Sequence, residues 1–344
     1  MQLSPLEQYF WIPTKLDQVK KLFFTNEIGL DDANQLISNW RDDEKYVVLE
    51  PLDENGERTC LYVKASKRGN GVYRYRVIKR HRDLIDFCKK NPVVLIEPGD
   101  DGNYYSNILK ATATVDIKRF DRNTFNKKLC SYYVDLFTKR IRNKYPGVQI
   151  ARTYEVCENG YLHVNFILVF PNHRFKVRYH ISKRKNSKGK PITSWRLDDY
   201  KLKQFFDDLW EPGFTDIRAI ENSDDLVEYS LKYHIKYFTN KEAKEKQNLT
   251  LSVLSLFNKR SISIPDSFKE AVYKIIKSKR PVDDITEILP RLDNKKHNSL
   301  KYTFLGIISA DKIPFQRELW YFETLEPPPI DDFDFVKIEK KEIN

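Results

Sequence analysis

Hydrophobic and polar positions alternate over Thr153–Phe170, TYEVCENGYLHVNFILVF, and predict two strands joined by a turn. On the first strand Tyr154 and Val156 flank polar Glu155. Asn159-Gly160 supplies the turn, because such a pair takes positive φ at little steric cost. The second strand, Leu162–Phe170, places His163, Asn165, Ile167 and Val169 on one face. Closing the hairpin brings Glu155 across from that pair. An imidazole, an amide oxygen and a carboxylate on one sheet face could hold a divalent cation. A polar sheet face under a loop is the plainer alternative.

The period changes at Leu226–Asn240, LVEYSLKYHIKYFTN. At about 100° per residue on a helix, Tyr229, Lys232, Tyr233 and Lys236 share one face, and Val227, Leu231, Ile235 and Phe238 the opposite one. The apolar face can be buried while the other presents two phenols and two ammonium groups. A tyrosine hydroxyl is a weak nucleophile at its ordinary pKa of about 10. Cationic neighbours and a metal-polarised substrate would activate it.

The remaining pattern divides the chain into 1–104, an accessory α/β region with possible DNA binding, 105–264, and 265–344. Phe10–Trp40 has helical spacing, with Leu16, Val19, Leu22 and Phe23 as its core stripe. Tyr46–Leu49 and Cys60–Val63 read as strands. Lys64–Arg82 is basic, with Tyr73 and Tyr75 between cations, and reads as a solvated strand pair or a surface for single-stranded DNA. Pro98–Tyr105 reads as a boundary. A strand over Asn107–Asp116, a helix over Asn123–Tyr145, the hairpin, a helix over Leu197–Leu209 and a strand over Thr215–Ile220 follow. This β-α-β-β-α-β order predicts an α+β fold, a ferredoxin-like split βαβ antiparallel sheet. Between hairpin and second helix, residues 171–190 carry eight Lys/Arg and no acid. They read as a loop in which Arg174, Lys176, Arg178, Lys183, Arg184 and Lys185 contact phosphates. Residues 321–344, with seven acids against three lysines, form an acidic and flexible tail.

Composition narrows the classes. A net charge of +11 suggests a polyanionic partner. Cys60, Cys88, Cys130 and Cys157 are too scattered for a zinc cluster and read as small buried hydrophobes of a reducing compartment. No signal peptide or membrane-spanning apolar run stands out, so no membrane partner is expected. There is no G-x-x-x-x-G-K-[ST] phosphate loop.

Glu155, four residues, GYLHVN and then YSLKYHIK together resemble the HUH endonuclease superfamily, specifically the rolling-circle replication initiators (Rep) of archaeal-type plasmids and viruses. Thr112-Ala113-Thr114-Val115-Asp116 resembles that family's first strand motif. Trp210-Glu211-Pro212-Gly213-Phe214 resembles the strand motif that precedes its tyrosine helix, and Leu254–Ser263 a run that follows it. The resemblance covers about Asn107–Ile264 and departs at Asn165, where the family usually has a second His. It implies a metal-dependent, site-specific single-strand DNA endonuclease and strand transferase. Glu155, His163 and Asn165 would hold Mg²⁺ or Mn²⁺. Tyr233, or Tyr229, would form a 5′-phosphotyrosine, with Lys232 and Lys236 steadying the phosphate. The implied partners are a replication origin and host helicase and polymerase, in the cytoplasm of a prokaryotic host. Transposases and relaxases share this chemistry, and a non-catalytic nucleic-acid-binding module on the same fold is the other alternative.

Overall fold

The computed structural model describes residues 15–43, 45–51, 61–64, 67, 69–157, 159–185, 189–227, 229, 241–280 and 302–309. The chain forms two compact units, one of residues 1–80 with 290–344 and one of residues 81–289.

In the first unit, helices α1 (Lys15–Phe24) and α2 (Leu30–Asp42) pack together. Val19 and Phe23 on α1, and Leu30, Ala33 and Ile37 on α2, recur at helical spacing and are buried. Asn26, at φ 60°, lies in the turn that divides the long helix expected from the sequence. Strand β1 (Lys45–Pro51) pairs antiparallel with β2 (Leu61–Lys64) and, on its other edge, with β12 (Tyr302–Ser309). Much of the expected Tyr-containing basic strand pair is instead helix α3 (Gly71–Arg80).

The second unit is built on a nine-stranded antiparallel sheet in the order β11-β6-β7-β5-β10-β9-β8-β4-β3, with the short β11 (Ile262–Ser263) at one edge. Its centre is β5 (Ile108–Val115), β6 (Gln149–Val156), β7 (Leu162–Val169) and β10 (Gly213–Ala219). Between β5 and β6 run α5 (Arg122–Lys128), a π-helical turn at Leu129–Tyr133 and α6 (Val134–Lys144). Helix α7 (Tyr200–Leu209) precedes β10. One sheet face packs under these helices through Phe166, Phe137 and Trp210, with ring centroids 4.8–6.4 Å apart. Trp210 is fully buried, and its Nε1 donates to Thr114 O at 2.7 Å. Gly213 begins β10 so close to β5 that a Cβ there would lie 2.3 Å from Thr114 O. The Trp and Gly of the strand motif therefore set how β10 meets β5.

Three stretches differ from the sequence reading. Residues 171–190 are mostly strand, β8 (Phe175–Lys185), which pairs with β9 (Pro191–Leu197). Their alternation places charge on one side and Phe175, Val177, Tyr179 and Ile181 on the other. The reading of 197–209 as helix holds only from Tyr200. The boundary expected at 98–105 is the turn between β3 (Ile96–Pro98) and β4 (Tyr104–Ser106), where Gly99 N donates to Asn103 O at 2.7 Å. Through β4 these strands join β8, so the 104/105 division falls inside the second unit. Helices α4 (Arg82–Lys90) and α9 (Asp266–Ser278) also belong to this unit, joined by Lys269 and Tyr273 to Asp83.

Candidate metal and nucleic-acid site

The expected hairpin forms in the expected register. Glu155 pairs with His163, and Thr153 with Asn165. Gly160 takes φ 81°, and Cys157 N donates to Tyr161 O to close the turn. On the far side of β7, Thr112 pairs with Asn165 and then with Asp216 of β10. Glu155, His163, Asn165, Thr112 and Asp216 thus share the sheet face opposite α6 and α7.

The three candidate ligands touch. Glu155 is 6% exposed, and its Oε2 lies 2.9 Å from His163 Nε2 and accepts from Asn165 Nδ2 at 3.4 Å. Asn165 Oδ1 accepts from Thr112 Oγ1 at 2.7 Å. His163 Nδ1 lies 3.2 Å from Cys157 Sγ. Burial alone would lower the His163 pKa, but its hydrogen bonds to Cys157 and Glu155 outweigh that and raise it to about 9. His163 is therefore an imidazolium at neutral pH, donating to Glu155.

Two residues that the sequence reading did not place at the site complete the cluster. Cys157, expected as a buried hydrophobe, is only partly buried and sits on the His163 ring, whereas Cys88 and Cys130 are buried with thiols pushed up to about 12. Cys60 lies outside the described residues. Period-2 spacing from Glu155 was the available signal for Cys157. Lys246, on α8 (Lys241–Leu256), places its ammonium on Glu155 Oε1. One turn on, Thr250 Oγ1 accepts from Val156 N, so α8 docks on the β6 edge and carries Lys246 over the carboxylate. No sequence spacing connects Lys246 to Glu155.

The donor set is compatible with a divalent ion. Two ligands about 2.1 Å from one ion and at right angles lie about 3 Å apart, close to the Glu155–His163 separation. Turning the Asn165 amide would aim Oδ1 at the same place; its NH₂ would then donate to Thr112 Oγ1, and the 3.4 Å bond from Nδ2 to Glu155 would give way to the ion. The ion would replace the His163 proton and the Lys246 ammonium. Among the described residues no group of three or more His, Cys, Asp or Glu is arranged to hold a metal ion.

Of the tyrosine helix, residues 223–227 and 229 are described as helical. Lys110 Nζ stands 3.9 Å from the Tyr229 ring centroid. Lys110 is two residues from Thr112 on β5, so Tyr229 meets the sheet on the Glu155 face. Lys232, Tyr233 and Lys236 lie outside the described residues.

The same face continues as a row of charge. Arg218 and Arg196 flank Asp216 at 2.5 and 3.1 Å, and Arg196 pairs across strands with Arg178. Lys176 and Arg178 share Asp198 at 3.4 and 3.5 Å, and Arg174 reaches Glu97 at 3.7 Å. Arg174, Lys176 and Arg178 therefore join the candidate site's face. Lys183 and Arg184 fall in an irregular stretch of β8 between the pairs Ile181–Thr193 and Lys185–Pro191, and Lys185 at its end. Among the described residues no helix is long and apolar enough to cross a membrane. No family model, no curated protein and no solved structure matches this chain.

Proposed function

We propose that the chain is a divalent-metal-dependent enzyme that nicks and rejoins single-stranded DNA, of the HUH rolling-circle initiator type. The observation that carries this reading is the meeting of Glu155, His163 and Asn165 on one sheet face, onto which Tyr229 also packs. The strand order β6-β7-β5-β10, with helical crossovers on one side, supports a ferredoxin-like split βαβ core.

Bound Mg²⁺ or Mn²⁺ would polarise the scissile phosphate and stabilise the charge that develops on it. Glu155, neutral His163 and Asn165 would hold it. Tyr233, or Tyr229, attacks phosphorus: its oxygen forms the new P–O bond, the P–O3′ bond breaks, and the 3′-oxygen leaves as a hydroxyl. The phosphotyrosine keeps the ester, so a free 3′-hydroxyl can reverse the step and rejoin the strand. Lys232 and Lys236 steady the phosphate or the phenolate. Arg178, Arg196 and Arg218 hold the flanking strand by its phosphates. The partners are then a replication origin and host helicase and polymerase in a prokaryotic cytoplasm. A transposase or relaxase would use the same residues on other DNA.

The second reading, a non-catalytic nucleic-acid-binding module, is favoured by the Lys246 ammonium on Glu155. A Mn²⁺-dependent protein–oligonucleotide adduct that survives a denaturing gel separates the two. Tyr233→Phe should abolish it and leave binding intact. If only Tyr229→Phe abolishes it, the attacking residue is Tyr229. Adduct in the double variant rules out this tyrosine chemistry.

A further inference from the structure

We propose that the helix-side face of the β8–β9 ribbon is a stacking platform for single-stranded nucleic acid, separate from the Glu155–His163 face. It goes beyond the nicking reading and does not rest on it. Strand β8 outruns its neighbours: β4 pairs only with Phe175–Val177, and β10 meets β9 only at Trp195 and Arg196. Beyond Tyr179, the ribbon has no further strand alongside it among the described residues.

At the root of this ribbon three rings form a ledge. Trp195 lies 4.9 Å from Tyr104 and 5.3 Å from Tyr179 between centroids. Tyr104 is 45% exposed and Tyr179 49%, and Ile181 beside them is more exposed still. Deeper on the same side, Phe175, Val177 and Leu197 are buried, with Phe175 against Phe206 of α7. The apolar stripe therefore continues past the helix that covers it, and it does so with aromatic residues.

Charge selects the occupant. Lys183, Arg184 and Lys185 follow the ledge, all exposed, and residues 171–190 contain no acid. A sugar would use the rings but not the cations, and an acidic peptide the cations but not the flat faces. Single-stranded nucleic acid uses both, stacking bases on the rings while phosphates meet the lysines.

The test is fluorescence anisotropy of a labelled oligo-dT on the full chain in EDTA, where metal and nicking play no part. Tyr104→Leu/Tyr179→Leu keeps an apolar cover and removes two rings. It should weaken binding at least about fivefold, with the slope of log K against log[salt] unchanged. Lys183→Gln/Lys185→Gln should instead flatten that slope by about 0.7 for each phosphate no longer neutralised. The Tyr104→Phe/Tyr179→Phe variant should bind as wild type, which guards against misfolding. Leucine variants that bind as wild type, an equal loss on duplex of the same length, or displacement by polyglutamate at equal charge would overturn the proposal. A chain that forms no adduct but shows the ring-dependent binding loses the nicking reading and keeps this one.

Discussion

The Lys246 ammonium rests on Glu155 Oε1 while His163 Nε2 lies 2.9 Å from the other oxygen of the same carboxylate. Two cations thus share one buried acid, in the place where a divalent ion would sit. A half-exposed pair of this kind is worth about 1 kcal/mol, which corresponds to about a fivefold change in the affinity of a competing cation. Lys246→Met should therefore tighten Mn²⁺ binding about fivefold by calorimetry, and Lys246→Arg should leave it near wild type. Weaker binding in Lys246→Met would make the lysine a helper of the ion instead of its competitor.

His163 makes the metal-free fold sensitive to pH. Its folded pKa is raised from 6.5 to about 9, so the folded state holds the proton more tightly than the unfolded chain. That stabilisation is full below about pH 6.5 and is lost as pH rises to about 9. The thermal midpoint in EDTA should fall between about pH 6 and pH 9, and His163→Gln should remove most of that fall. Equal falls in both proteins would place the titrating group elsewhere.

Gly213→Ala should destabilise the second unit by about 2 kcal/mol or more, because its Cβ would meet three backbone atoms, Thr114 O at 2.3 Å, Asp116 N at 2.7 Å and Val115 C at 2.9 Å. Backbone cannot swing aside as a side chain can. Urea unfolding reads the cost directly, and an unshifted midpoint would contradict the close approach of β10 to β5.

Lys176 and Arg178 lie on the candidate site's face and share Asp198. Neutralising both to Gln should lower the magnitude of the salt slope for single strands by about 0.7 for each phosphate these two side chains neutralise. An unchanged slope means the DNA strand does not cross β8 on this side.

The central hairpin was legible because its signals agree: period-2 alternation, an Asn-Gly turn and polar residues on one face give one register, Glu155 opposite His163. The β5-helix-β6-β7-helix-β10 order was legible for the same reason. Strands β8 and β9 were not, because Lys176, Arg178 and Lys183 make the run read as a solvated loop, although Val177, Tyr179 and Ile181 alternate with polar Lys176, Arg178 and His180. Helix α3 was misread because Tyr73, Tyr75 and Val77 alternate with Arg74 and Arg76, a local period of two that reads as strand. Lys246 was out of reach, since only the docking of Thr250 on Val156 brings it to Glu155, a residue 91 positions earlier.

Mn²⁺ binding to the full chain and to Glu155→Ala, His163→Ala, Asn165→Ala and Asn165→His tests the site most directly, with adduct formation followed in parallel. An amide is a neutral, hard ligand, and imidazole binds transition metals more strongly. The account predicts one ion per wild-type chain, no binding without Glu155 or His163, weaker binding in Asn165→Ala and tighter binding in Asn165→His, with adduct yield in the same order. Binding unchanged in Glu155→Ala and His163→Ala, or adduct that forms in excess chelator, would contradict it.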